Sequence, residues 1–205
     1  MKNNKLLFVS LLSFLAFAII LAGVINHNFD AIDSSTNAAM TAFQNNLFTP
    51  IAELVAYSFD VTSILILTMF IGAYLLYKKH EKDSTFFTIL IFFNLGMIAV
   101  LKEVIRLARP INMIMNETSY AFPSGHAAMA MVLFGFFIYL SWKYLKPESM
   151  RWTTILSIAM ILLVGFTRVY LNVHWLSDVL GGYALGLCIL ASGIVFSNII
   201  ERKQR

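Results

Sequence analysis

The sequence predicts an all-α, polytopic membrane protein with six transmembrane helices and an outer interfacial helix between the first and the second. Of its 205 residues, 59% are hydrophobic and only 13% are charged, which is about half the charged share of a typical soluble domain. The hydrophobic residues form blocks long enough to cross a hydrocarbon layer about 30 Å thick. The basic residues cluster between these blocks. A wholly water-soluble fold is therefore excluded.

Six hydrophobic blocks are predicted to be the transmembrane helices. Their bounds are 6–26, 59–77, 86–106, 123–142, 152–170 and 178–199. The first block is also compatible with a signal peptide, but it exceeds the apolar core of about 7–15 residues that such peptides carry. We therefore expect it to be retained as a helix. No linker or low-complexity tract separates the blocks, so residues 1–205 are predicted to form a single membrane-embedded domain.

The segment from His27 to Asp60 is the longest one outside the predicted spans. Its apolar residues recur at roughly helical spacing, which predicts an interfacial helix lying on the membrane. These residues are Ala39, Met40, Phe43, Leu47 and Phe48. Two roles stay open for this helix: a surface cap that packs on the bundle, or a guide that brings lipid to a site.

The distribution of lysine and arginine predicts the orientation of the chain. With six spans, both termini lie on one side, and most basic residues share that side. They are Lys2, Lys5, Lys78, Lys79, Lys82, Lys143, Lys146, Arg151, Arg202, Lys203 and Arg205. Because cytoplasmic connections carry the excess of basic residues, the termini are predicted to be cytoplasmic in a plasma or inner cell membrane. The opposite face holds only Lys102, Arg106, Arg109 and Arg168, and these exceptions point to an extracytoplasmic functional site.

The net charge of +4 favours contact with membrane lipids rather than with nucleic acid, because the basic residues form neither a stripe nor a long tail. The single cysteine, Cys188, lies in an apolar run. Neither a disulfide framework nor a zinc-binding spacing is therefore predicted. We expect membrane lipids as partners, no nucleic acid and no obligate protein partner.

The first candidate cluster follows the third predicted span. Lys102 and Arg109 are seven residues apart, so both can face one anion from a single helix, about 10 Å apart along its axis. Arg109 offers a fork that matches phosphate oxygens, and Lys102 offers a point charge. Pro110 is predicted to end the helix. The alternative is that these side chains only reach towards lipid head groups. Arg106 either meets a second phosphate of a diphosphate substrate or pairs with Glu103 or with lipid head groups.

The second cluster is Pro123-Ser124-Gly125-His126, at the start of the fourth predicted span. Serine at a helix start accepts from free backbone N–H groups, and glycine lets a ligand approach the backbone. Helix N-termini bind phosphate through those N–H groups. His126 would then lie at the edge of this site, where it could donate a proton. The alternative is an ordinary helix cap with an interfacial histidine.

The third cluster runs from Thr167 and Arg168 to Asp178 and bridges the last two predicted spans. Asn172 is predicted to be a turn residue. His174 and Asp178 are four residues apart, so they share one face if the helix has begun. A carboxylate that binds one imidazole nitrogen leaves the other free as a nucleophile. The alternative is a structural His–Asp pair.

All three clusters map to the same side of the membrane, where cations, two histidines and a helix N-terminus together suit in-line phosphoryl transfer. The sequence here resembles the type 2 phosphatidic acid phosphatase superfamily. Its pattern is Lys-x6-Arg-Pro, then Pro-Ser-Gly-His, then Ser-Arg-x5-His-x3-Asp, and only Thr167 departs from it, in place of serine. Within the superfamily it is most similar to bacterial phosphatidylglycerophosphate phosphatases and undecaprenyl pyrophosphate phosphatases.

The resemblance implies a metal-independent lipid phosphatase without a cofactor, acting through a phosphohistidine. Its substrates would be lipid phosphates such as phosphatidylglycerophosphate, undecaprenyl pyrophosphate or phosphatidic acid. His174 would be the nucleophile, Asp178 its orienting partner and His126 the general acid. The implied phosphate-binding residues are Lys102, Arg109, Ser124, Gly125, Thr167 and Arg168.

Two alternative functions use the same anion site. A vanadate-binding haloperoxidase shares the pattern, but such proteins are larger and soluble. A lipid transporter or flippase needs no His174–Asp178 pair opposite His126. We expect His174 to lie at a wet helix end, so that His174→Ala abolishes turnover and leaves the fold intact.

Overall fold

Residues 3–203 are the part of the chain that this computed structural model describes, and they form eight helices without a strand. In chain order these are α1 (Asn3–Ile25), α2 (Asp30–Phe43), α3 (Phe48–Ser58), α4 (Val61–Tyr77), α5 (Glu81–Ile105), α6 (Gly125–Tyr144), α7 (Pro147–Tyr170) and α8 (Leu176–Lys203). Lys2 and Arg205, which belong to the predicted basic side, lie outside the described residues. The predicted all-α fold class is confirmed.

Five of the described helices, α1, α5, α6, α7 and α8, are long and apolar enough to cross a membrane. Helix α4 has 17 residues and passes the same test only jointly with α3, from which it is bent by 56°. Residues 3–203 therefore contain five spanning helices, or six if the bent pair counts as one span. The prediction of a polytopic membrane protein is confirmed.

The segment predicted as one interfacial helix contains two helices, α2 and α3, with residues 44–47 between them. Asn45 explains the break. Its side-chain oxygen accepts hydrogen bonds from the backbone N–H groups of Leu47 at 3.0 Å and Phe48 at 2.9 Å. A side chain that takes up nearby N–H groups favours a turn over a continuing helix. Apolar spacing alone could not locate this break.

The connections between helices differ in length at the two ends of the bundle. At the end that carries the described termini, only residues 78–80 and 145–146 separate consecutive helices. At the opposite end, the chain between spans runs through residues 26–60, 106–124 and 171–175. The long segments therefore all meet at one end, together with the first residues of α6 and α8.

Helices α6 and α8 approach closely because glycines of α8 face the backbone of α6. A Cβ atom on Gly182 would lie 2.5 Å from the carbonyl oxygen of Ser124, and one on Gly186 would lie 2.6 Å from that of Ala128. Small residues allow such approach between membrane helices. The Ser124 N–H consequently donates to the backbone carbonyl of Asp178 at 3.0 Å. The first turns of α6 and α8 are thus fixed side by side.

Candidate active site

The residues of the three sequence clusters meet at the end of the bundle with the long connections. They come from the last turn of α5, the segment 106–124, the first turn of α6, the end of α7 and the start of α8. The predicted set is Lys102, Arg109, Ser124, Gly125, His126, Thr167, Arg168, His174 and Asp178. Hydrogen bonds join Arg109 to His174, and His174 to Asp178. One cluster of interacting side chains therefore forms from segments far apart in the chain.

The imidazole of His174 is held between a carboxylate and a guanidinium. Its Nδ1 lies 3.2 Å from Oδ2 of Asp178, which also accepts from the Trp175 N–H at 2.8 Å. Its Nε2 lies 3.3 Å from Nη1 of Arg109. Because arginine can only donate, Nε2 accepts and the proton resides on Nδ1. The carboxylate therefore orients the ring so that the lone pair of Nε2 points to the cations.

His174 is buried, with only 2% of the residue exposed. The prediction that His174 lies at a solvent-exposed helix end is therefore wrong, because the surrounding segments cover the turn between α7 and α8. Burial lowers the pKa of His174 well below its usual value, and the positive charges of Arg109, Lys102 and Arg168 lower it further. The imidazole is thus neutral, and able to act as a nucleophile, at neutral pH.

The depressed pKa predicts that the folded protein loses stability as the pH falls below about 6.5, the ordinary pKa of histidine. The unfolded chain then binds a proton at His174 that the folded protein excludes, so acid favours unfolding. Thermal unfolding in detergent should be followed from about pH 7.5 to about pH 5, a range in which free histidine titrates. We expect the melting temperature of the wild type to fall more steeply with falling pH than that of His174→Gln. Equal slopes would contradict the depressed pKa of His174 in the folded protein.

Helix α5 ends earlier than predicted, and this changes how Lys102 and Arg109 converge. Its last residue is Ile105, and Arg106 follows with a left-handed backbone, at φ 52°. The predicted convergence from a single helix that ends at Pro110 is therefore wrong. Lys102 lies on the helix, while Arg109 lies in the irregular segment that returns over it.

The two cations converge through the backbone of that returning segment instead. Lys102 donates to the Ser119 hydroxyl at 3.2 Å and to the carbonyl of Tyr120. Arg109 donates through Nε to the Ser119 carbonyl at 2.7 Å and through Nη1 to the Val173 carbonyl at 2.6 Å. Arg109 thereby ties segment 106–124 to the turn that carries His174. Ser119 and Tyr120 were missed in the sequence because they belong to none of the three clusters. They contact the cations through the Ser119 hydroxyl and through both backbone carbonyls.

Arg106 lies apart from this cluster and pairs locally. Its Nε donates to the Glu103 carbonyl at 2.9 Å, and its guanidinium lies 5.9 Å from the centre of the Tyr120 ring. A carboxylate oxygen of Glu103 is 3.9 Å away, and both side chains are largely exposed. The structure shows the pairing of Arg106 with Glu103; contact with a second phosphate or with lipid head groups stays a prediction.

Arg168 is fully buried at the end of α7. Its Nη2 donates to Oε1 of Glu117, whose other oxygen lies 3.6 Å from Nη2 of Arg109. Within residues 3–203, Nε and Nη1 of Arg168 have no hydrogen-bond partner. Glu117 was missed because it belongs to none of the three clusters, and a lone acidic residue in a loop carries no distinguishing pattern.

The first turn of α6 has the predicted form. Ser124 is buried and caps the helix, its hydroxyl accepting from the Ala127 N–H at 3.5 Å. A Cβ atom on Gly125 would meet only Ile98, at 3.6 Å. Nε2 of His126 lies 3.1 Å from the Ala56 carbonyl of α3. Because a carbonyl only accepts, that nitrogen carries the proton.

Thr167 uses its hydroxyl within its own helix. The Oγ1–H donates to the Val164 carbonyl at 2.7 Å, and the residue is buried. The hydroxyl oxygen of Thr167 can still accept a hydrogen bond, but its proton is already donated within α7 and cannot be donated to a phosphate oxygen. Contact between Thr167 and phosphate therefore stays a prediction.

The α2–α3 segment contributes to the site from the side. Asp33 of α2 accepts from the N–H of Ser177 at 2.9 Å and from its hydroxyl at 2.6 Å. It thereby caps the start of α8, one residue before Asp178. Ala56 of α3 meets His126, as noted for α6. These contacts show that the segment packs on the bundle, as the first of its two predicted roles requires; the lipid-guiding role stays a prediction.

The structure is that of a polytopic membrane protein with a buried His–Asp pair beside three cationic side chains at one end of its helices. In the described residues 3–203, no three His, Cys, Asp or Glu side chains are grouped so as to hold a metal ion. The model of the PAP2 superfamily, the type 2 phosphatidic acid phosphatases, matches residues 84–202. The chain therefore belongs to the PAP2 superfamily.

Similar proteins support this membership over nearly the whole length. Phosphatidylglycerophosphatase B of Bacillus subtilis (strain 168) is 33% identical over 200 residues, which cover 93% of this chain and 96% of the relative. Undecaprenyl-diphosphatase of Sulfolobus acidocaldarius is 33% identical over 121 residues, 55% of this chain and 54% of the relative. The crystal structure of a transmembrane PAP2-type phosphatidylglycerolphosphate phosphatase from Bacillus subtilis has a TM-score of 0.88 at 27% identity, covering 95% and 98% of the two chains. The resemblance predicted from the motifs is confirmed.

Proposed function

We propose that this protein removes phosphate from lipid phosphates in the membrane through a phosphohistidine on His174. The observation that carries the proposal is the orientation of that imidazole, with Nδ1 on Asp178 and Nε2 next to Arg109. Membership of the PAP2 superfamily supports the same class of reaction. The relatives named for phosphatidylglycerophosphate and for undecaprenyl diphosphate make both lipids candidate substrates. Phosphatidic acid is a third candidate through the resemblance to the superfamily.

In the first step, the lone pair of Nε2 on His174 attacks the phosphorus atom. A P–N bond forms, and the bond from phosphorus to the lipid oxygen breaks. Lys102, Arg109 and Arg168 neutralise the phosphoryl oxygens as charge builds up. A phosphate dianion beside His126 favours its imidazolium form, which supplies a proton to the leaving lipid oxygen and becomes the neutral imidazole. Asp178 stabilises the ring as its Nδ1–H becomes more acidic.

In the second step, water attacks the phosphorus atom of the phosphohistidine. The P–N bond breaks, its electron pair returns to Nε2, and inorganic phosphate leaves. His126, now without the proton it donated, accepts one from the water. The site returns to its starting protonation state, so the net reaction consumes one water for each phosphate released.

Release of inorganic phosphate by the purified protein in EDTA tests the proposal directly. We expect phosphate release from a lipid phosphate in detergent micelles, with the chelator causing no loss. A panel of phosphatidylglycerophosphate, undecaprenyl pyrophosphate, phosphatidic acid and a water-soluble phosphate ester would rank the substrates. A transporter or a haloperoxidase relative would release no phosphate from any of them.

We also propose that the termini are cytoplasmic and that the site faces away from the cytoplasm. The excess of basic residues on the side of the termini supports this orientation. In a Cys188→Ser background, a cysteine replacing exposed Thr118 should react with an impermeant maleimide added to intact cells. A cysteine replacing Lys146, exposed at the other end, should react only after lysis. The opposite pattern would place the site on the cytoplasmic leaflet.

A further inference from the structure

The carboxylate of Glu117 lies between two buried cations of the proposed phosphate site. One oxygen accepts from Arg168, and the other is 3.6 Å from Arg109. The arginine side chains are 0% and 6% exposed, while that of Glu117 is 25% exposed. The carboxylate therefore reaches the arginines from the solvent side, which is the side from which a substrate phosphate would come.

Arg168 has more donors than Glu117 uses. Its Nε and Nη1 are buried, and neither has a hydrogen-bond partner among residues 3–203. Buried donors in folded proteins are nearly always satisfied, so unpaired ones need an explanation. A phosphoryl group has three terminal oxygens and can pair with several donors of one guanidinium, whereas the carboxylate of Glu117 pairs with one.

The backbone around Glu117 is held on both sides, while its side chain is partly exposed to solvent. The Ile114 N–H donates to the Leu171 carbonyl at 3.1 Å, and the Ala121 N–H donates to the Leu107 carbonyl at 2.9 Å. Residues 115–118 between these anchors belong to no helix. Rotation of the Glu117 side chain towards solvent thus frees both arginines without displacing the segment.

We infer that Glu117 is an internal competitor for the phosphate site: its carboxylate pairs with Arg109 and Arg168 until a phosphate dianion displaces it, and returns when phosphate leaves. The inference rests on the proposed function, since it takes these arginines to be phosphate ligands. A single negative charge compensates the arginines in the resting protein. A phosphate dianion brings more charge and more acceptors, so it wins the exchange.

The exchange lowers the affinity for every phosphate, including the product. Part of the binding free energy of an incoming phosphate is used to remove the carboxylate. Because this cost is the same for lipid phosphate and inorganic phosphate, it raises KM and also weakens product inhibition. A different role, in which Glu117 stays in place and braces the arginines, makes the opposite prediction: its loss would weaken phosphate binding.

The test compares wild type, Glu117→Gln and Glu117→Ala with Glu103→Gln as the matched control. Glu103 is an exposed carboxylate on the same end of the molecule, paired with Arg106 outside the site. Removing it controls for the loss of one negative charge. Two quantities are measured for each protein in detergent: the inhibition constant of inorganic phosphate against a lipid phosphate substrate, and the rise in melting temperature with added inorganic phosphate.

Both Glu117 variants should bind inorganic phosphate roughly tenfold more tightly than wild type, the factor that one charge-assisted hydrogen bond contributes. Their KM for the lipid phosphate should fall in parallel, and Glu103→Gln should match wild type. The melting-temperature arm compares each variant with itself, so a less stable variant still reports its affinity. Suppose that the wild type turns over lipid phosphate but both Glu117 variants bind inorganic phosphate no more tightly than the wild type does. That result would overturn the inference about Glu117 and leave the proposed function standing. A wild type without turnover would overturn the proposed function, and tighter phosphate binding by the variants would still support the competitor.

Discussion

Substituting His174 with glutamine is expected to reduce phosphate release from lipid phosphates by about 10⁴-fold or more, as loss of a covalent nucleophile does elsewhere. Glutamine keeps a polar side chain next to Asp178 but has no ring nitrogen to attack phosphorus. Phosphate release is measured with saturating lipid substrate in detergent. A second measurement is trapping of labelled phosphoenzyme, which should be stable in alkali and labile in acid, and absent from the variant.

His27→Gln is the matched control for this substitution. His27 also has its Nδ1 3.2 Å from an aspartate, Asp30, but both side chains are largely exposed. We expect wild-type turnover in this variant. Substantial phosphate release by His174→Gln, or equal losses in the two variants, would rule out His174 as the nucleophile. His174→Ala is less informative, because it takes a hydrogen-bond partner from buried Asp178 and thereby costs stability of about 1–3 kcal/mol.

Asp178→Asn is expected to lower kcat by roughly 10²- to 10⁴-fold while KM changes little, by analogy with carboxylates that orient a catalytic imidazole. Oδ2 of Asp178 accepts from both Nδ1 of His174 and the Trp175 N–H. An asparagine whose oxygen takes the place of Oδ2 keeps both contacts but lacks the negative charge that stabilises the cationic ring formed on attack. An asparagine that turns its amide donates to Nδ1. In the latter case the proton moves to Nε2 and the attacking lone pair is lost.

Steady-state kinetics on lipid phosphate substrates would separate this effect from binding. Asp30→Asn, in the exposed His27–Asp30 pair with the same 3.2 Å separation, is the control and should be neutral. A rise in KM with unchanged kcat would show that Asp178 acts in binding rather than in orienting the nucleophile. A neutral Asp178→Asn would leave the His–Asp pair as a structural contact.

The fold class was predictable because membrane insertion imposes long apolar blocks that are visible in composition alone. The break at Asn45 and the end of α5 at Ile105 were not predictable in this way. Each depends on local structure. The side chain of Asn45 accepts from nearby backbone N–H groups, and Arg106 adopts a left-handed backbone. Hydrophobic periodicity carries no signal for either.

The site was predictable as far as its residues carry a spacing pattern. Lys102, Arg109 and His174 stand in motifs whose order matches the superfamily, and they interact as a cluster in the structure. Their chemical roles stay predictions until the variants are measured. Glu117 and Asp33 could not be found in this way, because each meets the site only through tertiary contacts with residues far away in the chain.

The cap formed by Asp33 has a consequence for how the protein is made. Its partner, Ser177, lies 144 positions later, and Asn172 reaches Thr41 across 131 positions. Because synthesis proceeds from the N-terminus, the early segment is inserted long before either partner exists. The complete arrangement around His174 therefore arises only when the last helix docks, and a chain released before residue 174 lacks both His174 and Asp178.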